Sequence, residues 1–544
     1  MGNMKKNKFI EGTLFAYIII LLTKIVGAIY VIPFRRIIGE DGGVLYSYAY
    51  SVYSLFLDIS TSGIPTAISM IVAEYNSLKL FNEREYAFKI SNKIVSIMAF
   101  AAFLVMFIFA EPFARFIISD ISEEVSMPSI VLVIRVISFC LLIIPYLSAI
   151  RGYLQGNKYV STSSTSQLVE QMVRIAIALI GSYVAINVWN LDVPAGVAVA
   201  LSGTVIGGLV AYLVLRWKVH KNKKELMEGV TNPNDSTVSA KEITKKIFSR
   251  AIPVIIIAAT QNIYNLVDLK LIIKGMHMIG YDAETSQLIG SIAVTWAAKI
   301  CMIINSIAVS MSVSIIPFIV HGFVNNDKEE LNSKFNQAIS TILYTSIPLA
   351  AFMCLFKEEV YNVFYVPNEF GGNLLAALSI LSIFFSVQMV MDMILQGMKN
   401  YKLVFTNTFI GLFLNAALDI PIILFLNRIG FNPYVGSIIA SCIGLSTSIV
   451  IILIGSKKRY EFNYKNIFVN LAKILAYTMV MTGFVLLLKR FITISDNYLL
   501  MLFELGIIGT VAFGIYLLLS YKFGTMVSVL GEDFIGNIKK KFKK

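Results

Sequence analysis

Long apolar segments separated by shorter polar ones run along the whole chain. A helix needs about 20 mostly apolar residues to cross the hydrocarbon core of a bilayer. By that criterion the pattern predicts an all-α integral membrane protein with about fourteen transmembrane helices, called spans 1 to 14 in chain order. The predicted spans are 9–34, 44–73, 94–118, 128–150, 164–188, 194–217, 248–273, 287–320, 335–356, 374–397, 403–426, 434–455, 466–488 and 497–521.

The charged residues between the spans predict how the chain is oriented. Lysines and arginines concentrate on alternate connections, with nine of them between Arg216 and Arg250. Acidic residues such as Asp120, Glu123 and Glu124 lie on an intervening connection. Because basic loops tend to stay in the cytoplasm, this alternation predicts cytoplasmic N- and C-termini. The first apolar run is longer than a signal-peptide core, so we expect no cleaved signal.

Composition supports a membrane protein and argues against other classes. Hydrophobic residues make up 57% of the chain and charged residues 15%, whereas a soluble domain carries about a quarter charged residues. The net charge of +13 does not predict nucleic-acid binding, because the basic residues lie in short loops where they set topology and contact anionic lipids. No G-x-x-x-x-G-K-[ST] phosphate loop is present, so we expect a gradient rather than ATP hydrolysis to drive any transport.

A polar segment at 218–246 divides the chain after six predicted spans. A direct repeat supports this division, since Leu154-Gln155-Gly156 follows span 4 and Leu395-Gln396-Gly397 follows span 10. Transporters with parallel repeats bind substrate between their halves and alternate access by rocking. The predicted organisation is an N-terminal lobe at 1–217, a cytoplasmic linker at 218–246, a C-terminal lobe at 247–456, and spans 13 and 14 with a basic tail at 457–544.

Several ionisable residues lie inside or at the ends of the spans, where a charge costs from about 2.5 kcal/mol upward and usually faces a cavity. Lys24 in span 1 and Lys299 in span 8 have no acidic residue three or four positions away. Two such cations in matching helices of the two halves predict an anionic substrate. Arg35 and Arg36 could equally extend to the membrane surface. The candidate substrate-binding residues are Lys24, Lys299, Arg35, Arg36, Asp58 and Arg135.

Acidic and amide residues in the second half predict a cation site. Asn415 precedes Asp419 by one helical turn, so the two side chains share a face. Their oxygens suit a hard cation such as Na⁺, or a proton carried by the aspartate. Asp268, Asn415 and Asp419 are therefore a candidate sodium site, with sodium or proton coupling left open and a structural role for Asn415 equally consistent.

A separate pair lies in span 5, where Glu170 and Arg174 are four residues apart. That spacing places both side chains on one face of a helix and predicts that they neutralise each other.

Several motifs resemble a known family. Thr-Lys-Ile-Val-Gly at 23–27, Ile-Pro-Phe at 32–34 and Ser-Gly-Ile-Pro-Thr-Ala-Ile-Ser at 62–69 resemble the polysaccharide-export flippases of the MATE-like MOP superfamily. Arg-Gly-Tyr-Leu-Gln-Gly at 151–156 and Ser-Gln-Leu-Val-Glu-Gln-Met-Val-Arg at 166–174 resemble its SpoVB/YtgP branch. Within the branch, the pattern of spans 1 and 2 is most similar to the MurJ-like lipid II flippases.

The resemblance implies a V-shaped, two-lobed fold with a cationic central cavity. It also implies a substrate, the undecaprenyl-pyrophosphate-linked peptidoglycan precursor lipid II, moved from the inner to the outer leaflet. Lys24 and Lys299 fall at basic positions of the family, and spans 13 and 14 would form a groove for the polyprenyl tail. Some members bind Na⁺ between helices 7, 11 and 12, where Asp268, Asn415 and Asp419 match two parts of the site.

The chain departs from the family at the end of span 2. Some relatives have an arginine and an acidic residue there, whereas this chain has Leu57-Asp58 and Ser62. The pyrophosphate would then be held differently, with Arg35 or Arg36 compensating.

Three alternatives stay open at this point. The chain could be a flippase for another undecaprenyl-linked polysaccharide or a spore-cortex precursor. A cation-coupled MATE-type drug antiporter is disfavoured because cavity lysines would repel cationic drugs. A membrane glycosyltransferase or ligase is disfavoured because the predicted outside loops are short.

The expected partners and location follow from the leading reading. We expect a transporter rather than an enzyme, in the bacterial cytoplasmic membrane, with a lipid-linked glycan and membrane lipids as partners. We expect no nucleic-acid partner and no cofactor apart from a coupling ion. A monomer is the working expectation.

Overall fold

The computed structural model describes residues 19, 23, 26, 27, 29–61, 63–118, 127–232, 237–491, 494, 495 and 497–530. Within these residues the secondary structure is helical and contains no strand, which confirms the predicted fold class. The chain divides into two compact units, Met1–Lys270 with Ala283–Ser291, and Leu271–Asp282 with Ile292–Lys544. This division does not test the lobe boundaries inferred from the sequence repeat, and those boundaries stay a prediction.

The first unit contains eleven helices in the part of the chain that the structure describes. They are α1 (Val31–Thr61), α2 (Ile64–Ser77), α3 (Phe81–Ile108), α4 (Ala110–Ile118), α5 (Met127–Ser138), α6 (Ile144–Gly156), α7 (Val160–Ala176), α8 (Val193–Lys221), α9 (Lys223–Leu226), α10 (Ala240–Met278) and α11 (Ala283–Ser291). The first unit contains α10 only as far as Lys270. Two π-helical segments, Ile177–Gly181 and Val184–Val188, extend α7.

The second unit begins with the end of α10. Its further helices are α12 (Ala297–Val324), α13 (Lys328–Leu355), α14 (Lys357–Phe364), α15 (Gly371–Gly397), α16 (Tyr401–Arg428), α17 (Gly436–Tyr460), α18 (Lys465–Lys489), α19 (Tyr498–Lys522) and α20 (Thr525–Leu530). A π-helical segment, Ile292–Trp296, leads directly into α12.

Twelve helical stretches in the described part of the chain are long and apolar enough to cross a membrane, and they correspond to predicted spans 3 to 14. Span 1 lies mostly outside the described residues. Span 2 is interrupted, because α1 ends at Thr61 and α2 begins at Ile64 with Pro65 in its first turn. Proline favours a helix start and disfavours a helix that continues through it. The total of about fourteen spans stays a prediction.

The repeated tripeptides coincide with a repeated backbone geometry. Lys158 and Lys399, just after α6 and α15, have φ of 69° and 56°. In each case the lysine N–H donates to the carbonyl three residues earlier at 2.9 Å, and the next N–H donates to Leu154 or Leu395 at 2.8 Å. This is the Schellman motif, which satisfies the last carbonyls of a helix. The two tripeptides therefore end their helices in the same way.

Two glycines allow the backbone of α6 to lie against α2. A side chain at Gly152 would overlap the carbonyl group of Pro65. A side chain at Gly156 would come within 2.7 Å of the carbonyl oxygen of Ser69 and of Val72. Small residues four apart are the usual means by which membrane helices approach closely. The glycines of the 151–156 motif therefore have a packing role.

We expect Gly152→Ala to destabilise the protein, because its methyl group would overlap the Pro65 carbonyl and overpacking costs about 1–3 kcal/mol. Gly483→Ala is the matched control, since Gly483 also lies in a helix but has open space where a Cβ would be. That variant should be unchanged or more stable by up to about 1 kcal/mol. Unfolding temperatures in detergent provide the measurement, and equal temperatures for both variants would contradict the close contact at Gly152.

Candidate functional site

Arg35 lies at a break in α1. Gly39 has φ 68° and ψ −169°, outside the helical region, and the Arg35 guanidinium donates to its carbonyl. Arg35 is 4% exposed, and a side chain at Gly43 would overlap its guanidinium. Arg36 is exposed. Arg35 and Arg36, which were both predicted to bind substrate, therefore lie in different environments. That they bind substrate stays a prediction.

Asp58 is held by a residue that sequence analysis did not single out. The Asn262 amide of α10 donates to Asp58 Oδ2 at 2.6 Å and to the Ala258 carbonyl at 3.0 Å. Asn262 is buried, whereas Asp58 is half-buried. The bond joins α1 to α10 and positions the carboxylate. In the sequence, Asn262 could have been recognised as an amide residue within the apolar run of span 7.

Glu170 pairs with Arg151 across two helices. Arg151 Nη2 lies 2.8 Å from Glu170 Oε2, and Arg151 Nε donates to Ser166 Oγ at 2.8 Å. Both charged side chains are largely buried. The prediction that Glu170 is neutralised mainly by Arg174 is therefore wrong. Arg151 on α6 makes the ion pair with the Glu170 carboxylate instead.

Arg174 lies in an aromatic environment. Its guanidinium donates to Gln171 Oε1, and the phenols of Tyr30, Tyr46 and Tyr50 are close enough to interact with its charge. The rings of Tyr46 and Tyr50 are stacked with centroids 5.6 Å apart. A membrane-embedded cation surrounded by aromatic hydroxyls was not among the predicted site residues, although an arginine inside span 5 was visible.

An ion-pair cluster joins the end of α2 to α10. Glu74 Oε2 lies 2.6 Å from Arg250 Nη2, and Glu74 Oε1 lies 3.4 Å from Lys246 Nζ. The hydrogen bond from Arg250 and the nearby Lys246 charge lower the pKa of the Glu74 carboxyl despite its partial burial. Glu74 is therefore ionised at neutral pH.

The remaining candidates of the first unit are dispersed. Arg135 is exposed, with its Cζ 5.4 Å from the centre of the Phe107 ring. Asp268 is half-buried on α10, near Lys270, whose Nζ lies 3.9 Å from the Phe116 ring centre. Lys24 lies outside the described residues.

Lys299 lies in the second unit, beside a buried aromatic pair. Its Nζ is buried and lies 4.5 Å from the centre of the Trp296 ring, within the range of a cation–π interaction. Tyr365 contacts Trp296 edge-on at 5.6 Å, and its hydroxyl donates to the Trp296 carbonyl at 2.9 Å. Trp296 ends the π-helical segment, a feature common at functional sites. The ammonium group is therefore held in place inside the predicted span 8.

Asn415 and Asp419 are fully buried on one face of α16, as their spacing predicts. Asn415 Nδ2 donates to Asp419 Oδ1 at 3.3 Å and to Ser441 Oγ at 2.9 Å. Asn415 Oδ1 is buried without a hydrogen-bond donor among the described residues. Carboxylate, amide and hydroxyl oxygens of this kind fit a sodium-type ion. Asp268, the third predicted ligand, belongs to the other compact unit.

A second buried carboxylate was missed by the sequence analysis. Asp392 of α15 is 4% exposed and accepts a hydrogen bond from Asn407 Nδ2 at 3.1 Å. Gln388 donates to Asn407 Oδ1 at 3.2 Å, and Ser448 donates to the Asn407 carbonyl at 2.8 Å. This network joins α15, α16 and α17. The signal was an aspartate inside span 10.

The last two long helices combine polar attachment with an apolar outer surface. Tyr516 donates to the Tyr344 carbonyl at 2.8 Å, and the Tyr344 hydroxyl lies 2.6 Å from Ser520 Oγ. Lys489 pairs with Glu359 at 3.1 Å. Exposed apolar residues on α18 and α19 include Phe468, Met479, Leu487, Leu499, Phe503 and Leu518. These helices therefore present a broad surface suited to lipid.

Twelve long apolar helices in the described part of the chain define a multi-pass membrane protein, and solved structures of transporters share its fold. The inward closed conformation of lipid II flippase MurJ matches with a TM-score of 0.63 and 17% identity, covering 95% of this chain and 99% of that chain. An inward-facing multidrug resistance MATE family transporter of the MOP superfamily matches with a TM-score of 0.63 and 14% identity, covering 81% and 94%. At these identities the likeness establishes the fold.

The chain belongs to the polysaccharide biosynthesis protein family of the MOP superfamily, whose family model matches residues 9–323. The MatE family model matches residues 290–420. These matches confirm the resemblance inferred from the motifs.

Curated relatives come from Bacillus subtilis (strain 168). Lipid II flippase MurJ is 27% identical over 98% of this chain and 99% of that protein. Stage V sporulation protein B is 22% identical over 66% of this chain and 68% of that protein. The uncharacterized membrane protein YabM is 25% identical over 70% and 69%. The flippase and MATE relatives are membrane transporters rather than enzymes.

The pairing of Glu170 can be tested by two double-mutant cycles. Combining Glu170→Gln with Arg151→Gln should give a coupling energy of about 1–3 kcal/mol, because either single change leaves a largely buried charge without its partner. Combining Glu170→Gln with Arg174→Gln should give about 0.5 kcal/mol or less, as for an ordinary intrahelical pair. Unfolding free energies in detergent measure both values, and a larger coupling with Arg174 would restore the sequence-based pairing.

Proposed function

We propose that the chain is a flippase that moves lipid II from the inner to the outer leaflet of the bacterial cytoplasmic membrane. One observation carries the proposal: the lipid II flippase MurJ of Bacillus subtilis matches over nearly the full length of both proteins. MATE transporter structures cover only 80% to 83% of this chain. The flippase therefore matches parts of this chain that the MATE structures do not cover. The proposed substrate class is a lipid-linked glycan, and lipid II is the proposed member of that class.

Lys299 would bind the pyrophosphate of the substrate. A buried ammonium group attracts an anion strongly, because little water is present to screen the charge. The contact with Trp296 holds the ammonium in one place. Lys24 would contribute the matching charge, and Arg35, Arg36, Asp58 and Arg135 are the further candidates. The same charge disfavours a cationic drug as substrate.

The exposed apolar surface of α18 and α19 supports a role in binding the lipid tail. A polyprenyl chain is apolar and is stable only in contact with lipid or an apolar protein surface. The polar contacts of Tyr344 with Tyr516 and Ser520 attach α19 to α13 on one side. The outer side chains of α18 and α19 are then available to a tail that stays within the bilayer.

The coupling ion would be held by Asp419, Asn415 and Ser441, with Asp268 as the further predicted ligand. A bound Na⁺, or a proton on Asp419, would cancel the charge of a carboxylate buried in the membrane. The Asn415 amide donates to Asp419 and to the Ser441 hydroxyl, and the second bond links α16 to α17. Occupancy of the site would therefore change the stability of the contact between α16 and α17.

The orientation and cellular role complete the proposal. The basic connections would lie in the cytoplasm together with both termini. The chain would act as a monomer in peptidoglycan synthesis and thereby support the cell wall and cell shape. The similarity to stage V sporulation protein B supports a spore-cortex precursor as a second candidate substrate.

Lys299→Ala should abolish growth of a strain that depends on this chain as its flippase, and Lys299→Arg should retain part of it, because arginine keeps the charge but not the compact ammonium. Lys465→Ala, at an exposed lysine, is the control and should support full growth. A parallel assay measures the accessibility of lipid II on the outer leaflet. Full growth with Lys299→Ala at normal expression would exclude the role proposed for Lys299. Failure of the unaltered chain to replace the missing flippase, together with rescue of a spore-cortex defect, would favour the second substrate.

Sodium binding can be tested by thermal unfolding in NaCl and in KCl of equal concentration. A ligand that binds only the folded state raises the unfolding temperature, so NaCl should stabilise the unaltered protein and should not stabilise Asp419→Asn. Asp392→Asn is the matched control, since Asp392 is also a buried carboxylate bonded to an asparagine. Its response to sodium should be normal. Equal stability in the two salts for the unaltered protein would exclude the sodium site and favour a proton.

A further inference from the structure

A cavity of about 440 Å³ lies within the first compact unit, between α3, α6 and α8. One wall belongs to α8, where Tyr212 and Arg216 are four residues apart and share a face. Lys223 of α9 lines the cavity as well. The opposite side is aromatic, since Phe88 of α3 and Tyr153 of α6 are stacked with ring centres 4.1 Å apart. The cavity therefore combines cationic and aromatic walls.

The positive charge of this cavity is not neutralised within it. Glu85 is the acidic residue among the described lining residues. Its carboxylate accepts hydrogen bonds from the buried Arg84 at 2.8 Å and from the Tyr153 hydroxyl at 2.6 Å. Arg216 and Lys223 are exposed, and the Arg216 guanidinium lies 3.4 Å from the Tyr212 hydroxyl. The cavity therefore presents cations beside a phenol, as a phosphate site does.

The neighbouring residues of α8 locate the cavity at the boundary between lipid and water. Trp217 is 60% exposed, and Lys221 Nζ lies 5.4 Å from its ring centre. Leu213, one turn earlier, is exposed as well. Tryptophan is enriched at the membrane interface, with lysine toward the water and leucine toward the hydrocarbon. The positive-inside rule assigns this end of α8 to the cytoplasmic side.

We propose that this cavity binds the phosphate-bearing headgroup of an anionic membrane lipid from the leaflet on the side of the basic loops. Arg216 and Lys223 contribute the charge, and the phenols of Tyr212 and Tyr146 donate to the phosphate oxygens. Basic pockets between membrane helices at this depth are a known mode of headgroup recognition. Exposed Leu213 offers the acyl chains a surface that a soluble phosphate would not need.

The residues that line this cavity are not among the candidate transport residues. The cavity lies in the first unit, which also contains Arg35, Arg36, Asp58 and Arg135, whereas Lys299, Asn415 and Asp419 belong to the second. The bound lipid would be a resident partner rather than a transported substrate. The proposal therefore stands or fails independently of the flippase activity.

The test measures unfolding temperature in detergent while phosphatidylglycerol, phosphatidylcholine or inorganic phosphate is added. Phosphatidylglycerol should stabilise the unaltered full-length protein, and the other two should not. Arg216→Gln combined with Lys223→Gln should raise the phosphatidylglycerol concentration needed for half of the effect by about tenfold. The control, Lys457→Gln combined with Lys458→Gln, removes the same charge at exposed positions in the last turn of α17 and should respond normally.

Two results would overturn the proposal. An unchanged response of the Arg216 and Lys223 double variant would show that these residues bind no headgroup. Equal stabilisation by inorganic phosphate would show a site for soluble anions instead. Should the double variant not fold, Lys223→Gln alone changes only an exposed residue of the short helix α9, and it should weaken the response to phosphatidylglycerol in the same direction.

Discussion

A polar side chain inside a bilayer must find its partner within the protein, and this constraint organises both compact units. In the first unit, the bonds of Arg151 to Glu170 and of Asn262 to Asp58 each join two helices. In the second, networks around Asn407 and Asn415 join α15, α16 and α17. Removing one partner leaves the other in a medium of low dielectric constant, which is costly. The groups that hold the helices together are therefore also those able to respond to a charged ligand.

The motif at 151–156 shows how much of this architecture a few residues can specify. Its arginine makes the ion pair with Glu170, and its two glycines bring α6 against α2. The residues at its end form the Schellman motif completed by Lys158. One six-residue segment thus sets a charge pair, a helix contact and a helix end. These three contacts give the motif a structural role.

The basic residues of the chain divide according to their surroundings. Several of those at the connections that the structure describes, such as Lys158, Lys223 and Lys399, are exposed. Lys299 lies against an indole ring inside a span, where its charge can act on an anion. Arg216 lies beside a phenol at the membrane boundary, where a lipid phosphate is within reach. Arg35 donates to a carbonyl at a break in its own helix, so an embedded arginine can also serve the backbone.

Local properties of the sequence determined the all-helical class, twelve of the predicted spans, the repeat and the family, because apolar length and short motifs depend only on neighbouring residues. The same kind of reasoning identified Asn415 and Asp419 as sharing a face. Tertiary structure alone decided which groups meet. Glu170 lies within reach of Arg174 by spacing, but Arg151 from another helix bonds to it. Asp392 and Asn262 likewise became recognisable through their partners on other helices. The reason is geometric, since contacts between helices depend on how each helix is rotated and how closely it packs, and no local spacing contains that information.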